Sequence, residues 1–541
     1  MKMFNNKKRS IIALTVAGLL TLTACGPTTN NNKQGGNADD FKFSSYPIQT
    51  DVTLKYWVEL NANVSISSES LTKTPFGQEL MKNTGVNIEF IHPPVGQTNE
   101  QLGILLTSNS LPDIIEYNWS TLAGGASKAL KEGYILKLND IIALDAPNLS
   151  AYLKSQPGYD KDAKTDDGSY YAFPFIRGDD FLTVSAGPIL RGDWLTDLNL
   201  EIPETMDEWH TVLTAFKNQK GATAPLSFTN GGSTTWFKDG DFTGAYGVPR
   251  NFFVDGSKIV YGPYDPRYKD FLKEMAKWYS EGLIDANIAN VEGSTLDSNI
   301  LNSKTGATIG YGGSLLGRLT QSMAGKDDKF KLVAAKHPVL TKGQTPEFGQ
   351  RSPIVDTIGA AITSSCKNTA IAARMLDYAY TEAGHLHYNF GIEGESYTMV
   401  EGYPTYTDMI MKNPDGLSIT QAMSRYIRGS YSGPFVQDKA YMEQYYTLDE
   451  QKEALVRWSD TDTSQKRSLP VSVTFLPEES SEISTILNDV NTRVDEMTMK
   501  FIMGIEPIDN FDKYIADLKS FGVERAIEIQ QNAFDRYVKR Q

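Results

Sequence analysis

Beyond residue 50 the apolar positions keep two rhythms, short runs with period two and longer stretches with period near 3.6. Their alternation predicts α/β layers, with helices packed on sheets. Strands are expected at 52–58, 87–91, 113–117, 307–310, 332–335 and 358–363. Helix signals are sharper. Pro203 precedes Thr205, and Glu208 lies three residues on, a capping box; Trp209, Val212, Leu213 and Phe216 then share one face. Asp265 and Pro266 open a second helix, with Tyr268, Phe271, Leu272, Met275 and Tyr279 as its stripe and Gly282 as its stop. Pro477-Glu478-Glu479 opens a third, on which Ile483, Ile486, Leu487, Val490, Val494, Met497 and Phe501 recur at three and four before Gly504. Trp194, Trp209, Trp278 and Trp458 sit on or beside helical patterns and are assigned to packing.

Residues 1–40 follow neither rhythm. Lys2, Lys7, Lys8 and Arg9 precede an apolar run from Ile11 to Leu20, and small residues lead to Cys25. That is a secretion signal over residues 1–24, too short to span a bilayer permanently. Leu22-Thr23-Ala24-Cys25-Gly26 resembles the lipobox of bacterial lipoproteins. The resemblance implies cleavage before Cys25 and a diacylglyceryl thioether on it, two acyl chains being enough for stable anchoring. Residues 25–40 carry no apolar side chain larger than alanine or proline and read as a tether. At about 5 to 6 Å times the square root of its length, it reaches some ~20 Å.

Charge narrows the partners. Removing the signal's four basic residues takes the net charge from −14 to −18, and no run of Lys and Arg follows, which argues against nucleic acid. Anionic headgroups are repelled too, so attachment to the membrane falls to the lipid. With Cys25 consumed, Cys366 has no partner, and stability must come from burial. A chain this long exceeds what one core holds, so two lobes are expected, joined by short crossings such as Phe173-Pro174-Phe175 and Arg351-Ser352-Pro353.

Several stretches together resemble a known family. They are Leu111-Pro112-Asp113-Ile114-Ile115, Asp167-Gly168-Ser169-Tyr170-Tyr171-Ala172-Phe173-Pro174, Leu190-Arg191-Gly192-Asp193-Trp194-Leu195, Trp278-Tyr279-Ser280-Glu281-Gly282-Leu283-Ile284-Asp285, Gly391-Ile392-Glu393-Gly394 and the tail from Ile529 to Tyr537. In order and coverage they are similar to the extracellular solute-binding proteins (family 1, maltose-binding-like) of bacterial carbohydrate ABC importers, lipoprotein branch. The resemblance implies an α/β, two-lobe, type II periplasmic-binding-protein-like fold, with two or three hinge strands and a central ligand cleft. Lobe 1 would hold residues 41–175 and 354–400, lobe 2 residues 176–353 and 401–541. It also implies a monomer that captures a carbohydrate, such as an oligosaccharide, and docks on the transmembrane subunits of a permease at the outer face of the membrane.

A sugar presents C–H faces and a rim of hydroxyls, so its site needs aromatic surfaces and groups that donate and accept hydrogen bonds. In α/β sheets ligands lie beyond the carboxyl ends of strands. Trp57 with Glu59, and Asn118 with Trp119, hold such positions; packing in a core is the alternative for both tryptophans. Resemblance places the glycine-rich loop carrying Asn230 and Trp236 in the cleft, with a shielding surface aromatic as the alternative for Trp236. Tyr311 ends another strand, but Gly312-Gly313-Ser314 follows where relatives often carry a tryptophan. Arg177 and Asp179, and Glu393 from the other side, are candidate partners for ligand hydroxyls. Arg191 and Asp193 read as an ion pair bracing the hinge.

Catalytic signatures are missing. No His-Glu-x-x-His pair occurs, and His385 and His387 point to different faces of a helix. No Gly-x-Ser-x-Gly elbow is found, and the glycine-rich segment at 312–317 lacks the lysine of a phosphate loop. The aspartates at 160–168 lack the terminal glutamate of a calcium loop, so neither cofactor nor metal is expected. With 66 acidic residues, carboxylate spacing alone supports no glycosidase. The reading is a binding protein and not an enzyme; a peptide-binding importer component and a surface carbohydrate sensor or adhesin are the alternatives.

Overall fold

The computed structural model describes residues 43, 45–108, 110–156, 158–229, 237–429, 431–461 and 466–540. Its strands are β1 (Thr53–Trp57), β2 (Asn87–Ile91), β3 (Ile114–Asn118), β4 (Phe173–Arg177), β5 (Ala186–Arg191), β6 (Phe252–Asp255), β7 (Lys258–Tyr261), β8 (Ala307–Tyr311), β9 (Leu332–Ala334), β10 (Val355–Ile362), β11 (Tyr397–Val400), β12 (Tyr403–Tyr406) and β13 (Val436–Gln437). One sheet runs β13-β4-β10-β3-β1-β2, with β10 antiparallel to both neighbours and the other pairs parallel. A second sheet, β8-β5-β9, is antiparallel and is extended by parallel bridges from Leu226 to Ala307 and Ile284.

Alternation along the strands gives each sheet two cores. In the first sheet Leu54, Tyr56, Ile114 and Ile362 enter one core, while Trp57, Ile115, Tyr117 and Ala361 enter the other. In the second, Ala186, Leu190 and Ile309 face the helices Arg267–Ser280, Pro477–Ile502 and Val523–Lys539, and Ile189, Leu332 and Ala334 face residues of the 390–458 region. The capping box at Thr205 forms as the spacing requires, Glu208 reaching back to the Thr205 N–H. Trp194, Trp209, Trp278 and Trp458 are all buried.

All six expected strands form, the one at 87–91 with its expected ends and the others with an end shifted by up to three residues. β4 and β5 were not anticipated, and Phe173-Pro174-Phe175 lies within β4 instead of in a crossing. A proline is tolerated there because β4 sits near the sheet's edge, and Gly359 of β10 lies opposite it. A Cβ on Gly359 would come within 2.6 Å of the Phe173 carbonyl oxygen. The crossing itself runs from Arg177 to Ala186, and a second precedes β10. The chain also changes sides further on: Tyr388 belongs to a first-sheet core, Phe390 to the second sheet, Phe435 and Val436 to the first again, and Ala440 to the second. β13, inside the stretch expected wholly in lobe 2, thereby pairs with β4.

One of these returns is fixed by a buried ion pair. Arg428 Nη2 donates to Glu116 Oε1 at 2.6 Å, with both side chains about 5% exposed or less. Tyr56 donates its hydroxyl to the other carboxylate oxygen at 2.7 Å. Burial, and then the Glu116 charge, hold the Tyr56 phenol well above its ordinary pKa, so it remains a donor. Cys366 is buried and unpaired, and burial pushes its thiol up to about 12. No helix among the described residues is long and apolar enough to cross a membrane. Replacing Glu116 by Gln leaves Arg428 as an uncompensated buried cation. Urea unfolding of Glu116→Gln is expected to show a loss of about 3–5 kcal/mol with an unchanged m-value.

Candidate functional site

Two adjoining cavities of about 720 and 250 Å³ lie between the sheets and share Asp162, Ser472 and Phe475 in their linings. The larger falls within the ~300–1,000 Å³ usual for ligand sites. On the first-sheet side the walls are Tyr159 and Asp162 of the short helix Tyr159–Asp162, Tyr171 ahead of β4, Thr357 of β10, and Trp119 with Ser120 after β3. The second-sheet side supplies Asp239, Phe253 and Phe348, with Gln530 and Tyr537 from the helix Val523–Lys539.

Asn118 ends β3 in an Asx turn: its Oδ1 accepts from Ser120 N at 3.2 Å, Ser120 Oγ at 2.7 Å and Thr357 Oγ1 at 2.9 Å. That carboxamide fixes two of the hydroxyls that line the smaller cavity, those of Ser120 and Thr357. Trp119 donates its indole N–H to the Gly359 carbonyl at 3.1 Å and is 1% exposed, so only an edge of its ring reaches the cavity.

Across the cleft, Asp162 Oδ1 accepts from Ser472 Oγ at 2.6 Å and the Tyr537 hydroxyl at 2.8 Å. Next to it Asp166 pairs with Arg536 at 3.1 Å and Arg540 at 2.6 Å, and Arg540 donates further to the Lys164 and Ser472 carbonyls. Lys164 Nζ lies 2.5 Å from Asp160. Cations of the chain thus occupy the aspartate-rich loop, and the C-terminal helix is tied to it. Among the described residues no group of three or more His, Cys, Asp or Glu suits a metal ion.

Deeper on the second-sheet side, His337 Nδ1 and Asp241 Oδ1 are 2.8 Å apart, both buried. Burial, and then the Asp241 charge, raise the neighbouring Asp239 carboxyl to about 7. Burial also raises the phenol of Tyr311, with Asp239 adding to it, although the residue is 44% exposed.

Several expected site residues lie elsewhere. Trp57 is 4% exposed inside a first-sheet core, because strand alternation turns it onto a helix-covered face. Glu59 is exposed and accepts from Thr98, away from both cavities. Arg177 donates to the Pro353 carbonyl at 2.5 Å and to Asp356 at 3.0 Å, so it braces the crossing. Asp179 caps the turn Asp180–Thr183 and borders a separate cavity with His385 and Asp438. Glu393 is exposed and bridges to Tyr397 outside the cleft. Arg191 and Asp193 do pair, at 2.8 and 2.6 Å, but between Trp194 and Phe330 at the far end of β5, so they brace the second sheet and not the hinge. Asn230, Trp236 and Cys25 lie outside the described residues. Sequence reasoning missed Tyr159, Asp162, Tyr171, Asp239, Ser472 and Tyr537. Tyr171 and Tyr537 stand inside stretches that carried the family resemblance, a usable signal; the others are short polar segments without periodicity.

Asp239 also makes a pH-dependent contribution to stability. Its folded carboxyl titrates above the unfolded one, so the folded chain binds the extra proton between about pH 4 and 7, and stability falls as pH rises through that window. Asp239→Asn removes the loss. Chemical denaturation should find the variant about 1–2 kcal/mol more stable than the native chain at pH 8 and equal to it at pH 4.

Comparison with known proteins accords with this architecture. Residues 64–385 match the model of the bacterial extracellular solute-binding protein family. The chain is 24% identical to the fructooligosaccharide ABC transporter substrate-binding protein FusA of Streptococcus pneumoniae, over 99% of each chain. It is 22% identical to the lipoprotein LipO of Bacillus subtilis, over 95% of this chain and 96% of that one. The HMO-binding, ABC-transporter-associated solute-binding protein of Bifidobacterium longum infantis superposes with a TM-score of 0.73 at 18% identity, covering 90% of this chain and 99% of that one. The fold is that of the type II solute-binding proteins, and the chain belongs to the bacterial extracellular solute-binding protein family.

Proposed function

We propose that this chain is the substrate-binding lipoprotein of an ATP-driven importer, which captures an oligosaccharide between two lobes and presents it to a membrane permease. The observation that carries the reading is the cleft, whose lining joins aromatic rings (Tyr159, Tyr171, Phe475, Tyr537) to small hydroxyl groups (Ser120, Thr357, Ser472). Rings match the C–H faces of a sugar, and hydroxyls match its rim. The curated relative FusA, named for fructooligosaccharide, supports the same substrate class.

In this reading lobe 1 is built on the first sheet and lobe 2 on the second, with boundaries near 175, 354 and 400. Asn118, Trp119 and Tyr171 act from lobe 1, and Tyr311, Asn230 and Trp236 from lobe 2. Ligand touching both sides favours the closed arrangement, and closure is what the permease reads. The chain performs no chemistry; transport energy comes from the importer's ATPase. A lipid on Cys25 holds the body at the outer face of the membrane, as the lipoprotein relative LipO also suggests.

A melting screen tests the binding claim. A ligand at a hundred times its Kd stabilises by about 2.7 kcal/mol, so at least one oligosaccharide should raise Tm by about 2 °C or more, whereas peptides should not. A shift with peptides alone would assign the cleft to a peptide importer. Cys25→Ser tests the anchor: the chain should move from the membrane fraction to the medium, and retention at the membrane would contradict lipidation there.

A further inference from the structure

The cations around the described part of the cleft are already committed to acceptors or carboxylates of the chain. Lys164 is held by Asp160 at 2.5 Å, and Arg536 and Arg540 are held by Asp166. Arg351 spends its guanidinium on Thr183 Oγ1, the Ser459 carbonyl and Thr461 Oγ1, at 3.1 to 3.2 Å, with Asp180 as the nearby carboxylate. Lys238 stands beside Asp239. Among the lining carboxylates Asp162 borders both cavities; Lys161 stands beside it, and its hydrogen-bond partners are two hydroxyls, both on Oδ1. Its other oxygen keeps acceptor capacity that a sugar hydroxyl can fill and a carboxylate cannot.

Resting on the importer reading above, we propose that the cleft selects uncharged oligosaccharides over uronate-containing ones, and that Asp162 is the residue that turns a carboxylate away. Binding an acidic sugar needs a cation free to receive it, and each cation lining the described part of the cleft already has an acceptor or a carboxylate beside it. A uronate would also meet the Asp162 charge at the point where the two cavities join, so rejection arises from an element built against the wrong ligand. The described side of the cleft is therefore a set of hydrogen-bond acceptors suited to hydroxyls.

Titration calorimetry on the full folded domain decides this, using a panel of neutral fructo-, xylo-, malto- and galacto-trisaccharides beside trigalacturonate. The best neutral trisaccharide should bind at least about tenfold more tightly than trigalacturonate. Asp162→Asn keeps an acceptor for Ser472 and Tyr537 but removes the charge, and should narrow the ratio of the two affinities by at least about threefold, whatever the neutral affinity itself becomes. Trigalacturonate bound as tightly as the best neutral sugar overturns the proposal, and an unchanged gap in Asp162→Asn removes Asp162 from it. If Asp162→Asn fails to fold, the selectivity of the native chain still decides the first claim, and Asp180→Asn tests whether lining carboxylates set it. A chain that binds neither set, with no shift in the melting screen, overturns the importer reading itself.

Discussion

Two sheets with separate cores can act as one binding device only if the segments between them are held in register, and two arginines do this. Arg177 leaves β4 and donates to the Pro353 carbonyl and Asp356, while its own N–H reaches the Ile354 carbonyl at 2.8 Å. Arg351 donates to Thr183, and the Ser352 N–H reaches the Thr183 carbonyl at 2.7 Å. The outgoing and returning crossings are thus laid side by side by charge-assisted and backbone bonds. Bonds of this kind allow bending about the crossing and resist sliding of one sheet past the other. The cleft walls on either side inherit their spacing from that join.

How much was legible in the sequence follows from the same division. Strands such as β1, β3 and β8 and the helices beginning at 206, 267 and 477 declare themselves, because burial imposes a period and their starts carry a capping box or a proline. β4 and β5 carry prolines at 174 and 188 and are buried on both faces, so neither alternation nor propensity marks them. One return of the chain to the first sheet, ahead of Phe435, is fixed by the pairing of Arg428 with Glu116 across more than three hundred residues, which no local pattern encodes.

The site was legible in kind but less so in position. The rule that ligands gather beyond strand ends led to the turn after β3, where Trp119 and Ser120 line the smaller cavity and Asn118 holds the Ser120 hydroxyl. It failed for Trp57, whose strand ends in the same direction but turns its ring into a core. Arg177, Asp179 and Arg191 looked like ligand or hinge groups because isolated charges near motifs attract attention; each is committed to a structural bond. The residues that do face the cavities include Asp162 and Ser472, from short irregular segments whose positions are set by the C-terminal helix folding back through Tyr537 and Arg540. Such placement is tertiary and leaves no trace in periodicity.

In the proposed function the chain is a hinged receptor in which a sugar bridges two independently packed sheets across a polar join. Small-angle X-ray scattering in solution, with and without a saturating oligosaccharide, tests that claim most directly. The radius of gyration should fall on saturation, because ligand held by both sides stabilises the closed arrangement. An unchanged radius with binding independently demonstrated would mean that the cleft does not close, and would contradict the account.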